Sequence, residues 1–134
     1  MQILVFGCQN LTQVLAPSLI AAGHQVTVLG HHQECLALLA KKLPTKVIQA
    51  SGVLMEDLLS CNMDSTEVFL ALSDDDQMNT MTAQIASHIF NVPKVICHVG
   101  DAEASAVYSK IGLTIVSSSI TISGEILHMI KESD

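Results

Sequence analysis

Short apolar runs rich in Val and Ile recur every twenty-odd residues along this chain, and stretches of helical periodicity separate them. The runs are Ile3 to Phe6, Val26 to Leu29, Lys46 to Gln49, Val68 to Leu72, Val95 to His98 and Thr114 to Val116. The helical patterns run roughly over Leu11 to Ala22, Gln33 to Leu43, Leu54 to Cys61, Asp75 to Phe90, Ala102 to Ile111 and Ser119 to Lys131. Strict alternation of strand and helix with short turns implies a parallel sheet whose right-handed crossovers place helices on both faces. Strands covered on both sides read as continuous apolar runs, and a composition of 49% hydrophobic against 14% charged residues agrees with that burial. The fold class expected is α/β: a Rossmann-like, doubly wound, parallel six-stranded sheet. At 134 residues the chain is expected to be one domain spanning 1–134.

Punctuation supports these boundaries. Gly23-His24 stops the first helix, Pro44 the second, and Asn91-Val92-Pro93 separates the long helix from its following strand. Pro17 falls inside the first helix and removes one of its hydrogen bonds.

A formal charge of −7 with only six Lys and Arg argues against nucleic acid as a partner, because phosphate neutralisation needs clustered basic side chains. No apolar stretch approaches the ~18 residues needed to cross a bilayer, and MQILVFG has no basic region or small-residue cleavage site. A cytoplasmic protein without direct membrane insertion is expected. The cysteines at 8, 35, 61 and 97 form no CxxC pair, and reduced, mostly buried thiols are the preferred reading.

In such a sheet ligands bind at the carboxyl ends of the strands, where the strand order reverses. Gly7 supplies a tight turn, and the amides beyond it, from Cys8, Gln9 and Asn10 to Leu11, open a helix that can receive an anion. A dinucleotide fingerprint would place further glycines at positions 9 and 12, where Gln9 and Thr12 stand. Gln9 narrows the approach of a pyrophosphate, and Thr12 pushes helix and strand apart. Asn10 with Gln13 resembles a capping box that would satisfy the same amides from within the chain. After the second strand, where an acid would accept ribose hydroxyls, Gly30 precedes His31 and His32.

The stretch SDDDQMN sets three carboxylates at a helix start, where Ser73 or Asp74 can cap and the charges favour the dipole. Catalytic patterns are missing: there is no Gly-Lys-Ser/Thr loop, and Tyr108-Ser109-Lys110 does not place its tyrosine and lysine one helical turn apart. A metal site built from Cys8, His31, His32 and His98 has no matching spacing.

The order of these pieces resembles the N-terminal lobe of the RCK family, also called KTN or Trk-N, of potassium uptake and potassium channel regulators. The resemblance rests on ILVFGC, GHQVTVLG, VFLALSDDDQMNTMTAQIA, NVPKVICHVGD and IGLTIVSSS, and covers nearly the whole chain. It implies a non-enzymatic sensor that binds an adenine nucleotide (AMP, ADP, ATP or NAD(H)) and passes its state to a membrane potassium transporter or channel subunit. The binding positions it implies are Gly7, Cys8, Gln9, Asn10, Leu11, Gly30, His31, Ser51, Gly52, Ser73, Asp74, Asn79 and His98.

The sequence departs from the family pattern at Gln9, Thr12 and Gly30, at Ser51 in place of an Asp, and at His98 in place of an Arg. The second lobe of the family is expected to be absent. The resemblance also implies dimers formed through the last helix, on which Ile120, Ile122, Ile126, Leu127, Met129 and Ile130 spread over more than one stripe. Burial of that helix within its own domain accounts for the same pattern. A module that binds no nucleotide and only docks partners is the alternative reading, and a nicotinamide-dependent oxidoreductase a distant third.

Overall fold

In a computed structural model, which describes residues 1–132, six parallel strands stand in the order β3-β2-β1-β4-β5-β6. The elements alternate as expected: β1 (Gln2–Phe6), α1 (Leu11–Ala21), β2 (Gln25–Gly30), α2 (Gln33–Lys42), β3 (Lys46–Gln49), α3 (Leu54–Leu59), β4 (Val68–Ala71), α4 (Asp76–His88), β5 (Lys94–Val99), α5 (Ala102–Lys110), β6 (Thr114–Ser117) and α6 (Ser118–Glu132). A single 3-10 turn, Met63–Ser65, leads into β4.

Strand side chains alternate between two cores. Ile3, Val5, Val28 and Leu70 pack under α1 and α2, through Leu15, Leu19, Leu36 and Leu39. Leu4, Phe6, Leu29 and Phe69 pack on the opposite face, under Leu58 of α3, Ala83 and Ala86 of α4, and Tyr108 of α5. Each fully buried Leu, Val or Phe contributes about 1.5–3 kcal/mol of transfer free energy, so continuous apolar runs on both faces hold the central strands in place. The register is set by these pairs, with Phe6 beside Leu29 on one side and Ala71 on the other.

α1 continues past Pro17 and ends in a Schellman turn at Gly23, whose φ of 93° suits glycine. There Gly23 N–H donates to the Ile20 carbonyl and His24 N–H to that of Leu19.

Coverage of the sheet is uneven. On the α1–α2 face, α2 packs over the β3 edge, but at the other edge Leu70, Leu72, Ile96, His98 and Val116, from β4, β5 and β6, form one side of an open trough. Leu11, Val14, Leu15 and Ser18 of α1 form the other side, enclosing about 340 Å³. α6 does not fill it: the helix follows β6 without an intervening residue, and none of its residues is buried. The alternative that α6 is buried within its own domain is therefore overturned. No helix among the described residues is long and apolar enough to cross a membrane.

Candidate functional site

The strand order reverses between β1 and β4, and the turns after these strands come into direct contact. Gly7 (φ 103°) lies so close to the β4 turn that a Cβ on it would stand 2.6 Å from Ser73 Cα. Two adjoining cavities flank this contact. The first, about 330 Å³, is lined by Phe6, Gly7, Cys8, Gln9, His31, His32, Ser73, Asp74, Asp75 and Met78. The second, about 670 Å³, lies over Asn10, Leu11, the Ser73–Gln77 segment, His98 and Gly100. Both fall in the range of about 300–1,000 Å³ typical of small-ligand sites.

The start of α1 contradicts the expected capping box. Asn10 adopts φ 42° and makes no side-chain cap; its Nδ2 instead donates to Asp74 Oδ1 at 3.3 Å. Gln13 turns the other way, and its Nε2 donates to the Cys8 carbonyl at 2.9 Å. The backbone amides of Gln9, Asn10 and Leu11 donate to no protein acceptor among the described residues. They sit at the positive end of an eleven-residue helix.

Thr12 also behaves differently from expectation. Rather than only pushing α1 away, its buried hydroxyl donates to the Gly7 carbonyl at 2.7 Å and ties the helix to the turn.

Ser73, Asn79 and His98 form a framework under the acidic turn. Asn79, fully buried, accepts from the Ser73 amide (2.9 Å) and hydroxyl (2.6 Å) through Oδ1. Its Nδ2 donates to the carbonyls of Ser73 (2.9 Å) and His98 (3.0 Å), so one side chain joins the ends of β4 and β5. The cap of α4 is Asp75, not Ser73 or Asp74, since its carboxylate accepts from the amides of Gln77 and Met78. Both carboxylate oxygens of Asp76 accept from Gly100 N–H at 3.1 Å. Asp74 is left at the rim of both cavities. Both ring nitrogens of His98 are buried without a hydrogen-bond partner among the described residues.

No acid ends β2. A Cβ on Gly30 would stand 3.3 Å from Leu36 Cδ2 and 3.4 Å from Cys8 Cβ, so a larger residue there would need the Leu36 side chain to give by a few tenths of an ångström. His31 borders the first cavity and packs edge-on against Phe6, with ring centroids 6.0 Å apart.

Ser51 and Gly52 line neither cavity. They bind Asp57 of α3: Oδ1 accepts from the Ser51 amide and hydroxyl at 2.9 and 2.7 Å, and Oδ2 from Gly52 N–H at 3.4 Å. Burial alone would raise the Asp57 carboxyl, but these donors, with the nearby His31, hold it below its usual value.

Phe6, Met78 and Gly100 also line these cavities, and none of them is among the binding positions that the family resemblance implies. A signal for Met78 exists, because helical side chains lean toward the N-terminus and a residue in the first turn of α4 covers the loop before it. Among the described residues no three His, Cys, Asp or Glu side chains stand together as a metal site.

A model of the TrkA-N domain matches residues 3–119. The chain belongs to the TrkA-N domain family. Among curated relatives, the Trk system potassium uptake protein TrkA homolog of Methanothermobacter thermautotrophicus is 26% identical over 113 residues, covering 84% of this chain and 52% of the relative. The Trk system potassium uptake protein TrkA of Streptomyces coelicolor is 25% identical over 117 residues, covering 87% and 52% respectively. The chain thus spans about half the length of these relatives.

Solved structures show the same fold. The TrkA-N domain of the Escherichia coli inner membrane protein ybaL superposes with a TM-score of 0.85 at 12% identity, over 96% of this chain and 95% of that one. The Shewanella denitrificans Kef CTD in AMP-bound form gives 0.78 at 15% identity, over 97% and 82%. The GsuK channel bound to NAD gives 0.72 at 20% identity, over 86% and 21%.

Proposed function

We propose that this TrkA-N domain is a regulatory module of a potassium transport system, acting through an adenine nucleotide bound at the β1–β4 switch point. The observation that carries the reading is the set of unpaired Gln9, Asn10 and Leu11 amides at the start of α1, beside two adjoining cavities. Family membership and relatives named as potassium uptake proteins support the transport role, and the AMP and NAD of two structural neighbours support the ligand class.

In this reading the amides receive one phosphate, and Phe6, His31 and Met78 enclose the adenosine moiety. The module responds by binding, without catalysis. No Lys or Arg lines either cavity, while Asp74 and Asp75 border both. Additional phosphate charge is therefore unfavourable, and the order AMP, then ADP, then ATP follows. NAD(H) binds no better than AMP, because Gly30 supplies no ribose acceptor.

The module works on the cytoplasmic side, against a membrane transporter or channel subunit, and as a homodimer. Loops between strand and helix in α/β units run to about 2–6 residues, yet none separates β6 from α6, so α6 cannot turn back over its own sheet. A second copy is the occupant that fits, with each α6 seated in the other copy's trough by a two-fold exchange.

Gly100 connects this helix to the site: its N–H is held by Asp76, and its carbonyl accepts from Ser119 Oγ at 2.5 Å, at the root of α6. Occupancy of the acidic turn is thereby passed to the dimer.

Calorimetry with AMP, ADP, ATP, NAD+ and NADH tests the ligand reading. Binding that weakens with each added phosphate is expected. Submicromolar NAD(H) binding, or no binding of any nucleotide, overturns it, and the second outcome would leave an interaction module alone.

A further inference from the structure

Two of the four cysteines meet behind the first cavity, which Cys8 lines. Cys8 is the second residue of the β1–α1 turn and is buried; Cys35 lies in the first turn of α2 and is partly exposed. The Cys35 thiol donates to the Cys8 carbonyl at 2.8 Å, which brings its sulfur against the Cys8 residue itself, and the Cys8 thiol points its own weak contact, 3.9 Å, at the His32 carbonyl just before α2. Gln13 Nε2 donates both to that carbonyl, at 2.9 Å, and to Cys35 Sγ, at 3.2 Å. An amide donor and the amino end of a helix both favour negative charge on a sulfur. Cys61 and Cys97 lie in the opposite core, where their sulfurs contact the carbonyls of Asp57 and His98 and no side-chain amide among the described residues donates to them.

We propose that Cys8 and Cys35 form a redox site, in which a peroxide oxidises Cys35 and Cys8 resolves it to an intramolecular disulfide at the edge of the nucleotide cavity.

The chemistry balances in two steps. The Cys35 thiolate attacks one peroxide oxygen, forming an S–O bond as the O–O bond breaks; with hydrogen peroxide, Cys35 becomes a sulfenic acid and hydroxide, then water, departs. The Cys8 sulfur displaces the sulfenic hydroxyl, forming the S–S bond, and its proton leaves with that hydroxyl as a second water. In sum, two thiols lose two electrons and two protons, and hydrogen peroxide is reduced to two waters.

The division of roles follows from the surroundings. Cys35 is the more accessible of the pair and stands at the start of α2, so it is the sulfur that meets the peroxide, while burial, and then the neighbouring Cys35 sulfur, push the Cys8 thiol up to about 12 and leave it the resolving partner. Forming the bond removes the Cys35 hydrogen bond to the Cys8 carbonyl and ties the β1–α1 turn to the start of α2. That turn carries the amides to which the nucleotide reading assigns the phosphate, so oxidation alters the cavity from within its wall.

The test begins with the reduced full chain, treated with hydrogen peroxide, alkylated and mapped by mass spectrometry after proteolysis. The expected product is a Cys8–Cys35 cross-linked peptide lacking two hydrogens, with Cys61 and Cys97 still alkylated. Links involving Cys61 or Cys97, or Cys35 over-oxidised with Cys8 still unlinked, overturn the proposal. With C8S, Cys35 is expected to persist as a sulfenic acid that a cyclic 1,3-dione traps; equal trapping in the parent overturns the resolving role of Cys8. These readouts need no nucleotide, so the redox site stands or falls separately from the ligand reading.

Discussion

Gly7 and Ser73 are in backbone contact across the point where the strand order reverses, close enough that a Cβ on Gly7 would lie 2.6 Å from Ser73 Cα and 2.7 Å from its amide nitrogen. The glycine thus serves the junction of two turns as well as any approach by a ligand. Its φ of 103° adds strain for any other residue. Gly7→Ala is expected to cost about 3 kcal/mol, or roughly 10 °C in Tm for a domain of this size. Thermal denaturation reads this directly, and a variant melting with the parent would mean that the two turns separate without penalty.

Asn79 performs a second joining role. Replacement by Ala leaves the Ser73 amide and the carbonyls of Ser73 and His98 without the partner that the fully buried Asn79 side chain supplies. A loss of about 2–4 kcal/mol in urea unfolding is expected. Asn79→Asp, which keeps the acceptor but replaces the donor, should recover little of it, since two of the three backbone groups require an N–H. Full recovery by Asp would show that the Ser73 amide alone matters.

These contacts mark what the sequence could and could not disclose. The six strands were visible because burial on both faces writes itself as unbroken apolar runs, and Gly23 was visible because a Schellman turn leaves a local trace. The helix start at Asn10 misled: Asn-x-x-Gln is a local pattern, while the side chain's actual partner, Asp74, lies 64 positions away. The cap of α4 was displaced by one residue because three successive carboxylates look alike until the turn fixes which one points back. Ser51 and Gly52 lay at a strand end, where ligand residues collect, but a buried carboxylate at Asp57 had engaged them. For α6 the spread of apolar residues suited burial and association equally, and only the missing loop after Ser117 separates the two.

The same Asp57 makes stability depend on acid. Its carboxyl is held below its usual value by the Ser51 and Gly52 donors against the opposing effect of burial. A depressed folded value means that its stabilisation is complete above the unfolded value of about 3.9 and disappears as pH falls through the folded one. Asp57→Asn should therefore be destabilised at neutral pH, with the gap to the parent closing on acidification. Urea midpoints for both proteins across that range would show it, and a gap that widened in acid would contradict the assignment.

Asp74 at the cavity rim offers a test of ligand selectivity. Its neutral replacement, Asp74→Asn, removes a negative charge from the site that both cavities share. ATP binding is expected to gain about 1 kcal/mol, roughly fivefold, with a smaller gain for AMP. Calorimetry of the variant at low and high salt is the measurement. Equal gains for the two nucleotides would place the added phosphates away from the rim.

The exchange of α6 can be broken from either side. Ile120, Ile122, Ile126 and Leu127 are 52–59% exposed on the described chain, and Val14, on the wall of the trough, is 76% exposed. Acidic replacements at Ile126 and Leu127 alter the inserted helix, whereas Val14→Glu alters only the seat. Both are on the surface, so neither is expected to change the circular dichroism of the folded chain. Sedimentation should find the parent a dimer and each variant a monomer, because an exchanged helix fails equally when its own face or its partner's groove is charged. A monomeric parent would overturn the exchange outright, and a Val14→Glu variant that remains as dimeric as the parent while the α6 variant dissociates would show that α6 associates somewhere other than this trough.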